Sequence, residues 1–482
     1  MSSESSQGLV TRLALIAAIG GLLFGYDSAV IAAIGTPVDI HFIAPRHLSA
    51  TAAASLSGMV VVAVLVGCVT GSLLSGWIGI RFGRRGGLLM SSICFVAAGF
   101  GAALTEKLFG TGGSALQIFC FFRFLAGLGI GVVSTLTPTY IAEIAPPDKR
   151  GQMVSGQQMA IVTGALTGYI FTWLLAHFGS IDWVNASGWC WSPASEGLIG
   201  IAFLLLLLTA PDTPHWLVMK GRHSEASKIL ARLEPQADPN LTIQKIKAGF
   251  DKAMDKSSAG LFAFGITVVF AGVSVAAFQQ LVGINAVLYY APQMFQNLGF
   301  GADTALLQTI SIGVVNFIFT MIASRVVDRF GRKPLLIWGA LGMAAMMAVL
   351  GCCFWFKVGG VLPLASVLLY IAVFGMSWGP VCWVVLSEMF PSSIKGAAMP
   401  IAVTGQWLAN ILVNFLFKVA DGSPALNQTF NHGFSYLVFA ALSILGGLIV
   451  ARFVPETKGR SLDEIEEMWR SQKGSSHHHH HH

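Results

Sequence analysis

The segment Arg81-Phe82-Gly83-Arg84-Arg85 returns 248 residues later as Arg329-Phe330-Gly331-Arg332-Lys333. Two further matches follow in the same order and at nearly the same offset. Glu143 with Arg150-Gly151 is repeated by Glu388 with Lys395-Gly396, and Pro211-Asp212-Thr213 is repeated by Pro455-Glu456-Thr457. One short match would carry little weight, whereas three matches in order indicate an internal duplication. The chain is therefore predicted to contain two homologous halves.

The composition is that of a membrane protein. Of the 482 residues, 54% are hydrophobic and only 11% are charged, and the mean hydropathy is +0.70. A soluble chain would carry about 25% charged residues, so lipid is the expected solvent. Twelve apolar stretches are long enough to cross about 30 Å of hydrocarbon. They lie near residues 10–32, 52–78, 87–105, 116–142, 154–178, 192–210, 262–290, 304–324, 335–356, 361–390, 398–418 and 432–452.

The distribution of basic residues predicts the orientation. Lysine and arginine are concentrated in alternate loops and in the segment between the sixth and seventh stretches. The opposite loops hold little beyond Arg46, Lys107, Lys357 and Lys418. By the positive-inside rule, both termini and the central segment are expected in the cytoplasm. Because each half has an even number of spans, the halves are expected to lie parallel and to rock about a central cavity.

These patterns predict an all-α membrane protein with five parts. We expect a six-helix bundle over 9–211, a helical cytoplasmic linker over 212–259, a second six-helix bundle over 260–454 and a cytoplasmic tail over 455–473. Residues 474–482 end in six histidines and are interpreted as a purification tag. The expected partners are membrane lipid and one small solute, and the chain is expected to work as a monomer.

Other classes of function lack support in the sequence. No arrangement of residues typical of a nucleophile, a metal site or a cofactor site is present, so neither an enzyme nor a cofactor nor a metal is expected. The seven cysteines lie mostly inside apolar stretches and lack the spacing of a disulfide framework or a zinc site. The formal charge of +6 follows from the basic loops, so no nucleic-acid partner is inferred.

Carboxamides and indoles inside the spans indicate the chemistry of the solute. An amide offers both a donor and an acceptor, as a sugar hydroxyl requires, and a neutral polyol needs no counter-ion. Trp383 and Trp407 add flat faces for the C–H face of a pyranose. Any one amide is better explained as a packing bond between helices, but the group favours a sugar site. The candidate amides are Gln158, Gln279, Gln280, Asn285, Asn316 and Gln406.

Charged residues at the ends of helices are candidate gate residues. Guanidinium groups there can pair with carboxylates and with carbonyl groups at helix C-termini, and they can also be simple positive-inside anchors. The candidates are Arg81, Arg84, Arg85, Glu143, Arg150, Asp328, Arg329, Arg332, Lys333, Glu388 and Lys395. Gly379-Pro380 in the tenth span is a candidate hinge, with a plain kink as the alternative.

Three ionisable residues lie within spans of the first half. At a rise of about 1.5 Å per residue, Asp27, Arg123 and Glu196 are expected at a similar depth. A lone charge in the membrane is costly, so pairing or protonation is expected. Asp27 with Arg123 is the natural pair, and Glu196 is placed to compete for the same guanidinium group.

Taken together, these residues resemble the sugar porter family of the major facilitator superfamily. The resemblance covers nearly the whole chain. It rests on Gly20-Gly21-Leu22-Leu23-Phe24-Gly25-Tyr26-Asp27, Pro138-x-Tyr140-x-x-Glu143, Gln279-Gln280-x-x-Gly283-x-Asn285, Tyr289-Tyr290, Gly379-Pro380-x-x-Trp383, Gln406-Trp407 and Pro455-Glu456-Thr457-Lys458-Gly459. It implies the major facilitator fold and a multi-pass protein of the bacterial inner membrane. The chain departs from the family's pattern at Ile80, Cys190, His215 and Lys395.

The resemblance also implies ligands and a mode of transport. The six amides and Trp383 correspond to sugar ligands, and Phe24, Tyr289 and Trp407 complete the predicted set. In proton-linked porters the residue at Asp27 is the proton site, yet a carboxylate locked to Arg123 stays charged. Because the chain looks more like bacterial glucose facilitators than xylose symporters, we predict uniport of D-glucose, and of other monosaccharides such as fructose and xylose, by alternating access. The alternatives are proton-coupled symport through Asp27 and a sugar sensor.

A difference in the predicted pocket supports the glucose prediction. Where the xylose symporters have a further glutamine in the site, this chain has Ala165. The smaller apolar residue makes the predicted pocket roomier and less polar. We expect such a pocket to favour glucose or a range of hexoses over strict pentose selection.

Overall fold

The computed structural model describes residues 4–146, 150–257, 260–390, 392–458, 464–465 and 467–473. Within these ranges the chain is helical and contains no strand. The first ten helices are α1 (Ser6–Val38), α2 (Ala50–Arg81), α3 (Gly83–Phe109), α4 (Ala115–Ile144), α5 (Arg150–Phe178), α6 (Ile181–Ala186), α7 (Trp191–Leu207), α8 (Pro214–Met219), α9 (His223–Leu233) and α10 (Pro239–Ser257). Short π and 3₁₀ turns cover Asp39–Ile43, Ala44–Arg46 and Gly188–Cys190.

The later helices complete the fold. They are α11 (Ile266–Leu281), α12 (Ile284–Asn297), α13 (Ala302–Phe330), α14 (Arg332–Trp355), α15 (Val361–Met376), α16 (Trp378–Met389), α17 (Ser392–Asp421), α18 (Pro424–Phe430) and α19 (Phe434–Phe453). Over the described residues, 12 helical segments are long and apolar enough to cross a membrane. The prediction of an all-α protein with twelve spans is therefore confirmed.

The chain forms two compact units. The first comprises the chain up to Phe42 together with Ala63–Asp255, and the second comprises Ile43–Val62 together with the chain from Lys256. In the first unit, the predicted linker folds into α8, α9 and α10, which share an apolar core that includes Trp216, Ala226 and Leu230. The exact domain boundaries given above stay predictions.

Small residues bring α1 and α5 of the first unit into close contact. A Cβ atom on Gly25 would lie 1.7 Å from the Ile161 carbonyl oxygen, and one on Gly164 would lie 2.0 Å from the Leu22 carbonyl oxygen. In a membrane, where lipid is as apolar as the side chains, such close backbone packing is a main source of helix association. This crossing fixes the helix that carries Asp27 and Phe24 against the helix that carries Gln158.

Two spans of the second unit are broken. The seventh consists of α11 and α12, which meet at Gly283 with a φ of +93° that favours glycine. Within α12, Tyr290 departs from helical geometry just before Pro292. The tenth consists of α15 and α16, which meet at Ser377 with φ −130° and ψ −95°.

The predicted hinge at Gly379-Pro380 is thus displaced. The break lies at Ser377, and Pro380 belongs to the first turn of α16. Proline is tolerated there because the first N–H groups of a helix have no partner within it. The break in the seventh span was not predicted, although Gly283 inside an apolar stretch was a signal for one.

Candidate functional site

Four carboxamides of the second unit form a continuous hydrogen-bonded chain. Asn285 Nδ2 donates to Gln280 Oε1 at 2.5 Å, and Gln280 Nε2 donates to Gln279 Oε1 at 3.3 Å. Gln406 Nε2 donates to the same Gln279 oxygen. Asn285 is half-buried and the three glutamines are buried. The fold thus brings together four of the predicted sugar-binding residues, from α11, α12 and α17.

The two helix breaks position this amide chain. Gln279 Nε2 donates to the carbonyl oxygens of Trp378 and Gly379, at 3.1 and 2.9 Å, directly after the break in the tenth span. In return, the Tyr370 hydroxyl of α15 donates to the Val282 carbonyl oxygen at 2.6 Å, beside the break in the seventh span. Each broken span therefore supplies a side chain that satisfies backbone groups at the other break. Irregular backbone inside a membrane needs such partners.

The remaining predicted residues of the second unit lie on helices around the chain. Asn316 on α13 is buried, and its Oδ1 accepts a hydrogen bond from Thr320 at 3.3 Å. Trp407 on α17 and Tyr289 on α12 are also buried, whereas Trp383 on α16 is half-buried. Helix α13 packs against α12, which carries Asn285, and against α15 and α16. Asn316 therefore lies on a helix next to the amide chain.

Gln158 and Phe24 lie in the first unit. Gln158 is on α5 and Phe24 is on α1, and both are half-buried. The close packing of α1 and α5 places the two residues on neighbouring helices. Their role as sugar contacts stays a prediction.

The three ionisable residues of the first unit form one buried cluster. Arg123 Nη2 donates to Asp27 Oδ2 at 3.0 Å, and Arg123 Nη1 lies 3.7 Å from Glu196 Oε2. At most 1% of each residue is exposed. Next to this cluster the hydroxyls of Tyr26 and Ser195 share a hydrogen bond of 2.5 Å. Asp27 and Arg123 are thus paired, and Glu196 competes for the same guanidinium group from a longer distance.

The charges of this cluster do not balance. One guanidinium faces two carboxyl groups, so the cluster has a net charge of −1 when both are ionised. Neither carboxylate oxygen of Glu196 accepts a hydrogen bond from any residue that the structure describes, although both are buried. An unbalanced buried charge is costly, and a single proton on one carboxyl group would remove it.

At their basic ends the two units have matching ion pairs. In the first unit Arg84 Nε donates to both oxygens of Glu143, at 2.6 and 3.2 Å. In the second unit Arg332 donates to both oxygens of Glu388, at 3.1 Å through Nε and 2.8 Å through Nη2. The duplication seen in the sequence is thus present in the contacts.

The third repeated motif supports these pairs. The Thr457 hydroxyl donates to Glu388 at 2.6 Å, and the Thr213 hydroxyl donates to Glu143 at 3.4 Å. Glu456 accepts from the backbone N–H of Arg332 at 3.1 Å, at the start of α14. The sequence indicated the repeat, but not that its carboxylate and hydroxyl would complete the ion-pair site.

The other predicted gate residues have different surroundings. Arg85 Nε donates to the Leu207 carbonyl oxygen at 3.1 Å, while Arg81 and Arg329 are exposed. The backbone N–H of Lys333 donates to Glu456 at 3.0 Å. The side chains of Arg150, Asp328 and Lys395 lie outside the described part of the chain.

Comparison with known proteins identifies the family. A family model described as "Sugar (and other) transporter" matches residues 13–469. The D-xylose-proton symporter of Escherichia coli is 42% identical over 98% of both chains. The arabinose-proton symporter of Bacillus subtilis is 33% identical over 97% of both chains. The glucose transport protein of Synechocystis is 30% identical over 96% of this chain and 98% of its own.

Solved structures agree with this assignment. A partially occluded inward-open structure of the xylose transporter from E. coli has a TM-score of 0.84 and 40% identity, over 94% of this chain and 99% of its own. The proton:xylose symporter bound to 6-bromo-6-deoxy-D-glucose has a TM-score of 0.82 and 42% identity, over 96% and 100%. The chain belongs to the sugar porter family of the major facilitator superfamily and is a sugar transporter of the multi-pass inner-membrane type.

Proposed function

We propose that the chain is a proton-coupled monosaccharide symporter in which the cluster of Asp27, Arg123 and Glu196 holds the transported proton. The observation that carries this proposal is the charge imbalance of the cluster. Two buried carboxyl groups share one guanidinium, and Glu196 lacks a described hydrogen-bond donor. One proton neutralises the cluster and supplies a donor, and its release restores the net charge. A cluster whose two protonation states differ by one buried charge suits a proton carrier.

The relatives support coupling over the uniport predicted from the sequence. The proteins that match this chain at 42% and 33% identity include symporters whose names specify protons together with D-xylose or arabinose. The predicted order of resemblance, with glucose facilitators before xylose symporters, is not supported by these matches. Coupled transport therefore replaces facilitated diffusion as the preferred function.

Uniport keeps one structural argument in its favour. The bond of 3.0 Å between Arg123 and Asp27 stabilises the ionised carboxylate, and a carboxylate that never leaves its partner carries no proton. In that case the cluster is purely structural and the sugar equilibrates. The two functions differ in whether sugar movement is accompanied by proton movement.

For the substrate, we infer a neutral pentose or hexose. The amide chain of Asn285, Gln280, Gln279 and Gln406 presents donors and acceptors without a formal charge, as sugar hydroxyls require. Ala165 in the first unit is a small buried residue. Because a small side chain leaves room for a hexose, we expect glucose to be accepted. An Ala165→Gln variant is expected to lower glucose uptake relative to xylose uptake, and an unchanged ratio would contradict that expectation.

The remaining parts of the proposal concern the membrane. The basic ends of both units are assigned to the cytoplasm by the positive-inside rule, and with them both termini. The pairs of Arg84 with Glu143 and of Arg332 with Glu388 are assigned to the gate of an alternating-access cycle. The protein is expected to act as a monomer among membrane lipids.

Sugar-driven proton uptake tests the coupling. Purified protein is reconstituted into vesicles that contain a pH-sensitive dye, and D-xylose or D-glucose is added outside without an imposed gradient. Symport predicts acidification of the lumen by the wild type and none by Asp27→Asn or Glu196→Gln. Exchange of labelled sugar across the membrane should persist in at least one of these variants, which separates lost coupling from lost folding. Sugar entry without acidification by the wild type would support uniport.

A further inference from the structure

The far end of the second unit, opposite the ion pair of Arg332 and Glu388, carries a polar cluster that neither the sugar site nor the charge cluster uses. Its members, called here the far-end cluster, are Gln293 and Asn297 of α12, Lys418 and Asp421 of α17, and His432 in the turn before α19. These polar side chains link α12 to α17, which indicates a role in positioning the two helices.

Two hydrogen bonds connect α12 to α17, and each of them is called a rung here. Lys418 Nζ donates to Gln293 Oε1 at 2.8 Å, and Asn297 Nδ2 donates to Asp421 Oδ2 at 3.5 Å. The partners are three residues apart on α17 and four apart on α12. Such spacings place side chains on the same face of a helix, one turn apart. The two rungs are therefore parallel and lie one helical turn from each other.

The lysine of the first rung is buried. Lys418 is 8% exposed, and its ammonium group lies 5.3 Å from the centre of the Tyr290 ring, which itself stacks on Phe417. The start of α2, which belongs to this unit, covers it closely. A Cβ atom on Gly58 would lie 3.4 Å from Lys418 Cβ. A buried cation is costly without partners, and the Gln293 oxygen and the aromatic face are two of the groups that stabilise Lys418.

The second rung is fixed on the α17 side. His432 Nδ1 lies 2.9 Å from Asp421 Oδ1, and Asn427 Nδ2 donates to the Asp421 carbonyl oxygen at 2.8 Å. Asn431 and His432 adopt φ values of 49° and 71°, which residues other than glycine seldom adopt and which surrounding contacts must hold in place. Asp421 is therefore anchored to the turn before α19, and α12 is the helix that can move away from α17.

The backbone of α12 is suited to such a movement. It is separated from α11 by the break at Gly283 and is distorted again at Tyr290. A break of this kind can act as a hinge about which the following helix turns. Asn285 of the amide chain lies directly after the break at Gly283, so a movement of α12 about Gly283 moves a predicted sugar ligand.

We propose that the two rungs form a latch that holds α12 against α17, and that Lys418 and Asp421 are positioning residues that set how readily α12 opens. Release of the latch frees the far end of α12, and closure returns Asn285 to the amide chain. This role concerns the motion of α12 and stands independently of proton coupling.

Hydrogen–deuterium exchange of the intact protein in lipid nanodiscs tests the latch. Lys418→Met and Asp421→Leu each remove one rung while keeping a side chain of similar size, because neither methionine nor leucine can make the hydrogen bond. Because hydrogen bonds to charged groups are among the stronger ones, exchange over residues 284–297 should rise about tenfold in the Lys418 variant. It should rise by less in the Asp421 variant, since that hydrogen bond is 3.5 Å long and exposed. Exchange in α13 and α14 should stay as in the wild type. Lys357→Met and Asp303→Leu are matched controls, since both residues are exposed.

Further variants keep the proposal falsifiable. If Lys418→Met does not fold, Asn297→Leu, at an exposed position of α12, removes the second rung from the other side. Adding Gln293→Met to Lys418→Met should raise exchange no further, because the rung is already lost. Unchanged exchange over 284–297 in all rung variants would overturn the latch. An equal rise across α13 to α16 would also overturn it, since that indicates general loosening of the unit.

Discussion

Gln279 Nε2 lies 2.9 Å from the Gly379 carbonyl oxygen and donates a hydrogen bond to it. The glutamine at the centre of the amide chain is therefore also a structural part of the broken tenth span. Its Nε2 group is directed to backbone carbonyls, and its Oε1 receives donors from Gln280 and Gln406. A sugar bound at the amide chain, as proposed, would compete with the hydrogen bonds that hold the helix break, and binding would then be connected to helix position.

Replacing Gln279 should therefore cost stability as well as sugar binding. Gln279→Leu leaves carbonyl groups without their donor, and an unsatisfied buried polar group costs about 1–3 kcal/mol. Gln280→Leu is the control, because Gln280 bonds only to side chains among its described hydrogen bonds. In thermal unfolding in detergent, the Gln279 variant should melt lower than the Gln280 variant. Equal melting temperatures would show that the carbonyl bonds contribute little.

The buried charge cluster predicts a strong effect of removing its cation. Arg123→Met leaves two buried carboxyl groups without a counter-charge, and breaking a buried ion pair in this way costs about 3–5 kcal/mol. A second change, Asp27→Asn, removes one of the two carboxylates and should restore part of the loss. The measurement is the melting temperature of the single and double variants. No recovery in the double variant would contradict the charge balance proposed for the cluster.

The repeated ion pairs should differ in strength. The Glu143 side chain is 11% exposed, whereas the Glu388 side chain is 27% exposed. The attraction between two opposite charges is stronger where less water surrounds them. Glu143→Gln should therefore lower thermal stability more than Glu388→Gln, each by about 1–3 kcal/mol. The same variants should slow sugar exchange if the pairs belong to the gate. A larger loss for Glu388→Gln would show that exposure is a poor guide here.

His432 predicts a dependence of stability on pH. Its hydrogen bond to Asp421 raises the pKa of the imidazole above the ordinary value of 6.5, against an opposing effect of burial. A folded-state pKa above the unfolded value means that this contribution is fully present below pH 6.5. It is lost as the pH rises through the raised pKa. His432→Gln should reduce the difference in melting temperature between pH 5.5 and pH 8.5. An undiminished difference would assign the dependence to other groups.

The sequence predicted the spans well because each one is a long apolar stretch, and the duplication because its motifs repeat in order. The breaks were harder for physical reasons. The seventh stretch is apolar on both sides of Gly283, so hydropathy shows no gap. Pro380 suggested a kink, yet the break lies at Ser377. There the Gln279 side chain of α11 donates hydrogen bonds to the backbone carbonyl groups beside the break. Such tertiary partners are invisible along one stretch of sequence.

The site was predictable in its residue types and less so in its contacts. Gln279 and Gln406 are far apart in the chain, and only folding shows that one donates to the other. The pair of Asp27 and Arg123 followed from equal depth in the membrane. The longer distance from Arg123 to Glu196 did not, and neither did the lack of a described hydrogen bond to the Glu196 oxygens.

The most direct test of proton-coupled sugar transport is uptake against a concentration gradient. Vesicles with reconstituted protein are given an inward proton gradient, and labelled D-xylose or D-glucose is supplied at equal concentration on both sides. The proposal predicts that sugar accumulates inside above the outside concentration, and that dissipating the gradient abolishes the accumulation. An inside sugar concentration that stays equal to the outside concentration, with and without the proton gradient, would contradict it.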